Sequence, residues 1–163
     1  MKRVLLIFLV VASLLFSSCY EEKYNVLPFE GKDVIMECTV NEKFDVVIEK
    51  RKDALYLSVL SPKEISGVSF SFSPEGDKML SGDVSVPISK DSAFGIYALV
   101  SITELSESKM TSAVSNDGVG EISIEQSGLL YTLIFSNEGA LTDVKISGDG
   151  LDYYVEIKKL SII

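Results

Sequence analysis

The chain is expected to be mostly β, a single curved antiparallel sheet of roughly nine to eleven strands with one inserted helix. Three observations lead there. Hydrophobic residues recur with period two from Asp33 onward, and turn residues interrupt them every 8–12 positions or so. Only one stretch, Ala93 to Ile102, breaks that period with a helical run. That run is apolar nearly all round, so it is buried on both sides or covers something apolar.

Before the folded part stands a different kind of segment. Lys2 and Arg3 precede an apolar run from Val4 to Phe16, and then come Ser17, Ser18 and Cys19. A core of about 13 residues is too short for a stable membrane anchor and fits a signal peptide. Two small residues let an extended backbone enter a peptidase cleft, and a cysteine directly after the cut offers a thiol for diacylglycerol. The pattern resembles a bacterial lipoprotein signal with its lipobox, with Phe16 where Leu, Val or Ile is usual. An ordinary secretory signal or an uncleaved anchor are the alternatives. Residues 1–18 are thus read as signal peptide, 19–31 as a tether and 32–163 as the β domain. The expected location is extracytoplasmic, held to the cell membrane by acyl chains on Cys19. That face is the outer one in a Gram-positive cell and looks into the periplasm in a Gram-negative cell. Two chains anchor stably where one does not, at roughly 0.8 kcal/mol per buried CH₂.

Charge narrows the partners. Two of the 15 basic residues, Lys2 and Arg3, precede the expected cut, which leaves 13 against 24 acidic residues, a net charge of −11. Such a surface repels phosphate backbones, so no nucleic-acid partner is expected. It also repels anionic headgroups, so the acyl group alone does the holding. The 145 residues after the cut suit one domain with a real core.

Taken in order, Tyr20 to Gly31 is polar and interrupted by Pro28 and Gly31. Val34, Met36, Cys38 and Val40 then share a strand face. A turn at Asn41-Glu42 leads to Phe44, Val46 and Ile48, again in phase. Arg51-Lys52-Asp53 turns into Ala54 to Leu60, completing a meander. Pro62 and Gly67 break the pattern. Val68, Phe70 and Phe72 next alternate with serines. Two short strands flank Gly82, with Val84, Val86 and Ile88 on one face and Pro87 marking an edge. Asp91 or Ser92 is the expected cap of the helix, and Glu104 and Glu107 lie at its far end. Met110 to Val114 is a short strand, followed by a turn at Asn116-Asp117-Gly118. Val119 to Gln126 meets Leu129 to Phe135 through a two-residue hairpin, Ser127-Gly128. Leu129 to Phe135 is apolar on both faces and therefore expected to be central. Leu141 to Ile146 and Leu151 to Ile162 close the chain, with Tyr153, Val155 and Ile157 in phase.

Catalytic chemistry finds little to work with. The chain has no histidine, so it holds no Ser-His-Asp triad, no Cys-His pair and no histidine-ligated metal. Cys38 shares a face with Met36 and Val40 and reads as a small buried apolar residue. Asp83, Asp91, Glu121 and Glu125 mostly alternate outward and read as solvated. Asp149 between two glycines is turn chemistry without a calcium ladder. No enzyme activity, metal or cofactor is expected beyond covalent lipid on Cys19.

The order of elements resembles the LolA/LolB-like half-barrel of bacterial lipoprotein carriers, in particular small LolA-like lipoproteins of Gram-positive bacteria. The residues that carry the likeness are Glu49-Lys50-Arg51-Lys52 at the first hairpins and the link Ser61-Pro62-Lys63-Glu64-Ile65-Ser66-Gly67-Val68. To these add the strand pair Leu130-Tyr131-Thr132-Leu133 and Leu141-Thr142-Asp143-Val144-Lys145-Ile146. The resemblance implies a half-barrel covered by a helix, with an apolar space that holds a lipid or a lipoprotein acyl chain. Val68, Phe70, Phe72, Phe94, Tyr97, Leu99, Leu133 and Phe135 are the candidate lining residues. Two departures stand out. Tyr20 to Gly31 leaves little room for the N-terminal helix of such carriers. Arg51, the sole arginine after the cut, sits in a turn and not under a lid. The alternative is a structural lipoprotein of the cell envelope with a filled core, docking other envelope proteins through its acidic face.

Overall fold

The computed structural model describes residues 27–116 and 119–163. The signal segment, Cys19, the start of the tether and the Asp117-Gly118 part of a turn lie outside the described residues.

Among the described residues, eleven strands pair into one antiparallel sheet. In chain order they are β1 (Val34–Val40), β2 (Phe44–Arg51), β3 (Ala54–Val59), β4 (Val68–Phe72), β5 (Lys78–Ser81) and β6 (Val84–Pro87). After the helix α1 (Phe94–Val100) come β7 (Met110–Asn116), β8 (Val119–Gln126), β9 (Leu129–Phe135), β10 (Leu141–Gly148) and β11 (Leu151–Ile162). The spatial order is β6-β5-β4-β3-β2-β1-β11-β10-β9-β8-β7. Two meanders therefore meet at β1 and β11, and their far ends, β6 and β7, are the two edges of an unclosed sheet.

Tight turns set this topology. Asn41 and Glu42 between β1 and β2, Lys52 between β2 and β3, and Ser127 with Gly128 between β8 and β9 all have positive φ. That left-handed geometry matches the right-handed twist of the paired strands, so each hairpin closes in two or three residues. Gly148 (φ 122°) shows the constraint most sharply, because a Cβ there would stand 2.8 Å from the carbonyl oxygen of Gly128.

Among the described residues, one face of the sheet is buried and the other meets solvent. Val34, Met36, Cys38 and Val40 on β1, Val46 and Ile48 on β2, and Tyr131, Leu133 and Phe135 on β9 all lie in one core. Leu130 on the opposite face of β9 is 41 % exposed. β9 lies inside the sheet between β10 and β8, as expected of a central strand, and its second apolar face meets solvent because a single-layer sheet has one dry side.

The chain from β6 to β7 must travel from one sheet edge to the other, and it does so across the buried face. Leu99, Val100, Ile102 and Leu105 are buried along this route. Helix α1 is followed by a 3₁₀ turn at Ser101–Glu104 and another at Glu107–Lys109, so the α-helical part ends before Ile102. Neither Asp91 nor Ser92 caps it. The N-cap is Ala93, without a side-chain bond, because Ser92 closes its own turn with Ser89 instead. The turn's buried polar side chains serve the backbone: Ser101 Oγ donates to the Tyr97 carbonyl at 2.8 Å and Thr103 Oγ1 to that of Val100 at 2.9 Å.

The tether reading also needs a correction at its end. Leu27 and Phe29 are fully buried, so the folded unit begins no later than Leu27. A clasp holds this start in place. The Leu27 N–H donates to Glu107 Oε1 at 2.8 Å, while Glu30 accepts from Ser106 Oγ at 2.6 Å and from the Glu107 N–H at 3.2 Å. The sequence offered Pro28 and Gly31 as breakers, and they do form a turn, but the two apolar residues beside them outweigh it. All the described core residues from Leu27 to Val155 form one contiguous cluster.

Candidate functional site

Cross-strand partners in an antiparallel sheet share a face, so the ladder itself draws the site. Leu57 faces Phe70, Phe70 faces Met79, and Met79 faces Val86. This row continues the core face outward from β3 to the edge strand β6. Burial fades along it: Leu57 is 1 % exposed, Phe70 and Met79 are half-buried, and Val86 is 40 % exposed. Val68 and Val84 lie on the same face one register step away, each opposite Ser81. The apolar surface therefore runs out from the covered core into solvent.

Helix α1 borders this surface. Phe72 on β4 meets Tyr97 on α1 edge to face, with ring centroids 5.2 Å apart. Phe94, Ile96 and Tyr97 are half-buried against the core, as is Ile88 in the segment before the helix. Beside the Phe72–Tyr97 pair opens a cleft of about 360 Å³. Leu55, Phe72 and Tyr97 supply its apolar wall, and the turn Ser73-Pro74 with Gly76 forms part of its rim. Its charged residues are Asp53, Asp77, Lys90 and Glu104. Lys90 Nζ lies 4.5 Å from the centroid of the Tyr97 ring and 3.3 Å from its hydroxyl.

Of the eight candidate lining residues, the structure sorts two groups. Val68, Phe70, Phe94 and Tyr97 are half-buried at the outer apolar surface. Phe72, Leu99, Leu133 and Phe135 are 0–5 % exposed and packed within the core. Only Phe72 and Tyr97 border the cleft. Alternation along single strands finds such faces but does not say which part of a face the helix covers. The four charged cleft residues come from four separate segments, and only Lys90 and Tyr97, seven positions apart, are close enough in sequence to suggest each other.

A second, more open depression of about 500 Å³ sits at the β9–β10 turn, bordered by Ile134, Phe135, Ser136 and Thr142. Among the described residues no three histidine, cysteine, aspartate or glutamate side chains gather as metal ligands. No described helix is long and apolar enough to cross a membrane. Cys38 is 2 % exposed, and burial, aided by the neighbouring charge of Glu37, pushes its thiol up to about 12.

Among solved structures, an uncharacterized conserved protein from Thermus thermophilus aligns over 81 % of this chain and 79 % of its own, at 7 % identity and TM-score 0.47. A LolA superfamily protein, NE2245 from Nitrosomonas europaea, aligns over 84 % of this chain and 88 % of its own, at 8 % identity and TM-score 0.40. PNGF-II also aligns, over 81 % of this chain but 28 % of its own, at 8 % identity and TM-score 0.37. No protein-family model matches the chain, and no curated protein does.

Proposed function

We propose that the protein is a lipid-anchored envelope lipoprotein that binds a hydrophobic ligand between helix α1 and a sheet bent into a half-barrel. The observation that carries this reading is the apolar row Leu57-Phe70-Met79-Val86, which leaves the covered core and ends in solvent. Fully burying a side chain the size of Val or Met is worth about 1.5–3 kcal/mol, and an acyl chain laid along this row would recover part of that for several residues at once. Bending of the sheet is supported by the contacts of α1. Phe72 and Tyr131 stand six strand spacings apart, about 29 Å across a flat sheet. Yet they touch adjacent helix residues, Tyr97 and Ala98.

The ligand site in this reading is the outer half of the expected lining, Val68, Phe70, Phe94 and Tyr97, with Met79, Val84 and Val86 added. The membrane anchor is Cys19. Replacing it with alanine should move the protein from the membrane pellet to the soluble fraction, and retention in the pellet would refute the anchor. For the ligand, a chain starting at Tyr20 keeps the whole described core. An uncharged fluorescent long-chain ester should saturate it at one equivalent, and Val86→Asp combined with Phe70→Asp should abolish saturation. Absence of saturable binding would overturn the reading.

One observation favours the filled-core alternative, in which the lipoprotein serves as a docking partner for other envelope proteins. Leu99, Leu133 and Phe135 are packed at 0–5 % exposure, the close packing that a core without a ligand would have. A pull-down from membranes that recovers one stoichiometric protein and no lipid would establish that alternative.

A further inference from the structure

The cleft beside Phe72 and Tyr97 combines an apolar wall with an acidic mouth. Its three carboxylates, Asp53, Asp77 and Glu104, outnumber its one cation, Lys90. That ammonium does not reach any of them within ion-pair distance; the described ion pairs are Arg51–Glu49, Lys158–Glu156 and Lys159–Glu37. Instead it lies over the Tyr97 ring, 4.5 Å from its centroid, and donates to its hydroxyl at 3.3 Å. An aromatic face attracts an ammonium through its negative quadrupole, more strongly as water is excluded. The chain thus already shows which chemistry Tyr97 accepts, using a side chain of its own.

Resting on the ligand-binding reading above, we infer that this cleft recognises the head of an amphipathic organic cation, an alkylammonium whose tail lies along the apolar surface of β4 to β6. The three carboxylates attract the charge, Tyr97 carries it, and half-buried Phe70, next to Phe72 on the same face of β4, receives the first carbons of the tail. Lys90 is a displaceable occupant: exposed and held by a flexible stem, it can swing into water and leave the ring to the ligand. The net charge of −11 on the chain after the expected cut adds a long-range field of the same sign.

The test is calorimetric titration of the chain starting at Tyr20 with decyltrimethylammonium, decanol and decyl sulfate, each below its micelle concentration. The cation should bind about tenfold tighter than decanol, and the sulfate weaker than both. Lys90→Met should tighten the cation several-fold by removing its competitor, and Tyr97→Leu should erase the preference over decanol. Neutralising the mouth with Asp53→Asn, Asp77→Asn and Glu104→Gln should erase it too, whereas Glu121→Gln with Glu125→Gln, away from the cleft, should not. If decanol binds and the cation binds no tighter, or the preference survives the mouth variants, the inference fails while ligand binding stands. If neither binds, both fail.

Discussion

The hydroxyl of Tyr131 on β9 donates a hydrogen bond to the backbone carbonyl of Ala98 on helix α1, 3.2 Å away and buried. It ties the second meander to an element that leans with Tyr97 on the first. Burial, with a smaller contribution from Tyr97, pushes the Tyr131 hydroxyl up to about 12, so it remains a donor throughout the ordinary pH range.

Tyr131→Phe removes that donor and leaves the Ala98 carbonyl dry. The expected loss is about 1–3 kcal/mol, the cost of an unsatisfied buried group, read as a lower urea midpoint with an unchanged slope. Because the bond joins the two meanders, hydrogen exchange in α1 should accelerate more than in β1.

Gly95 lies in the first turn of α1, where a Cβ would overlap the Tyr153 hydroxyl. Gly95→Ala should therefore destabilise by about 1–3 kcal/mol, as overpacking does, despite the better helix propensity of alanine. In a Tyr153→Phe background the same change should cost far less, since the clashing oxygen is gone. A double-mutant cycle by thermal denaturation measures this coupling.

Cys38 is buried between Met36 and Val40, with its thiol raised to about 12. Near pH 8, iodoacetamide should leave it unmodified in the folded chain and alkylate it within minutes once guanidinium unfolds it. The sign of the linkage follows: the folded thiol stays neutral, so its contribution is intact below the ordinary thiol value of about 8.5 and is lost as pH rises above it.

Glu30 accepts from Ser106 and from the Glu107 backbone, and those bonds, the Ser106 hydroxyl foremost, hold its carboxyl below the ordinary value. Its stabilisation is therefore present above about pH 4 and lost as pH falls through the lowered value. Glu30→Ala should lower Tm at neutral pH, and the deficit should shrink on acidification. Proteolysis near Leu27 should quicken in the same variant, because the clasp on the chain's start is weakened.

Much of the architecture could be read along the chain. Period-two runs place nearly every strand, and Asn41-Glu42, Lys52 and Ser127-Gly128 mark hairpins because few residues tolerate their backbone angles. Pro87 correctly marks an edge strand, since a proline cannot donate to a further neighbour. Local signals fail where the decision is not local. Ser92 has the chemistry of a cap, yet Ser89 is nearer and takes its hydroxyl. Leu27 and Phe29 stand among polar residues in a breaker-rich stretch, and only the space left by the core buries them.

Periodicity and turn chemistry act within ten residues or so, and the order of residues was therefore enough to place the strands, their inward faces and the one apolar helix. How far that helix reaches across the sheet was settled by packing between distant parts of the chain. Packing separated Phe72, Leu99, Leu133 and Phe135, which are core, from Val68, Phe70, Phe94 and Tyr97, which meet solvent. It also gathered Asp53, Asp77, Lys90 and Glu104 around one cleft. The physical reason is that coverage and charge clustering depend on where strands distant in sequence come to lie, and a strand's own alternation is the same whether its inward face is covered or bare.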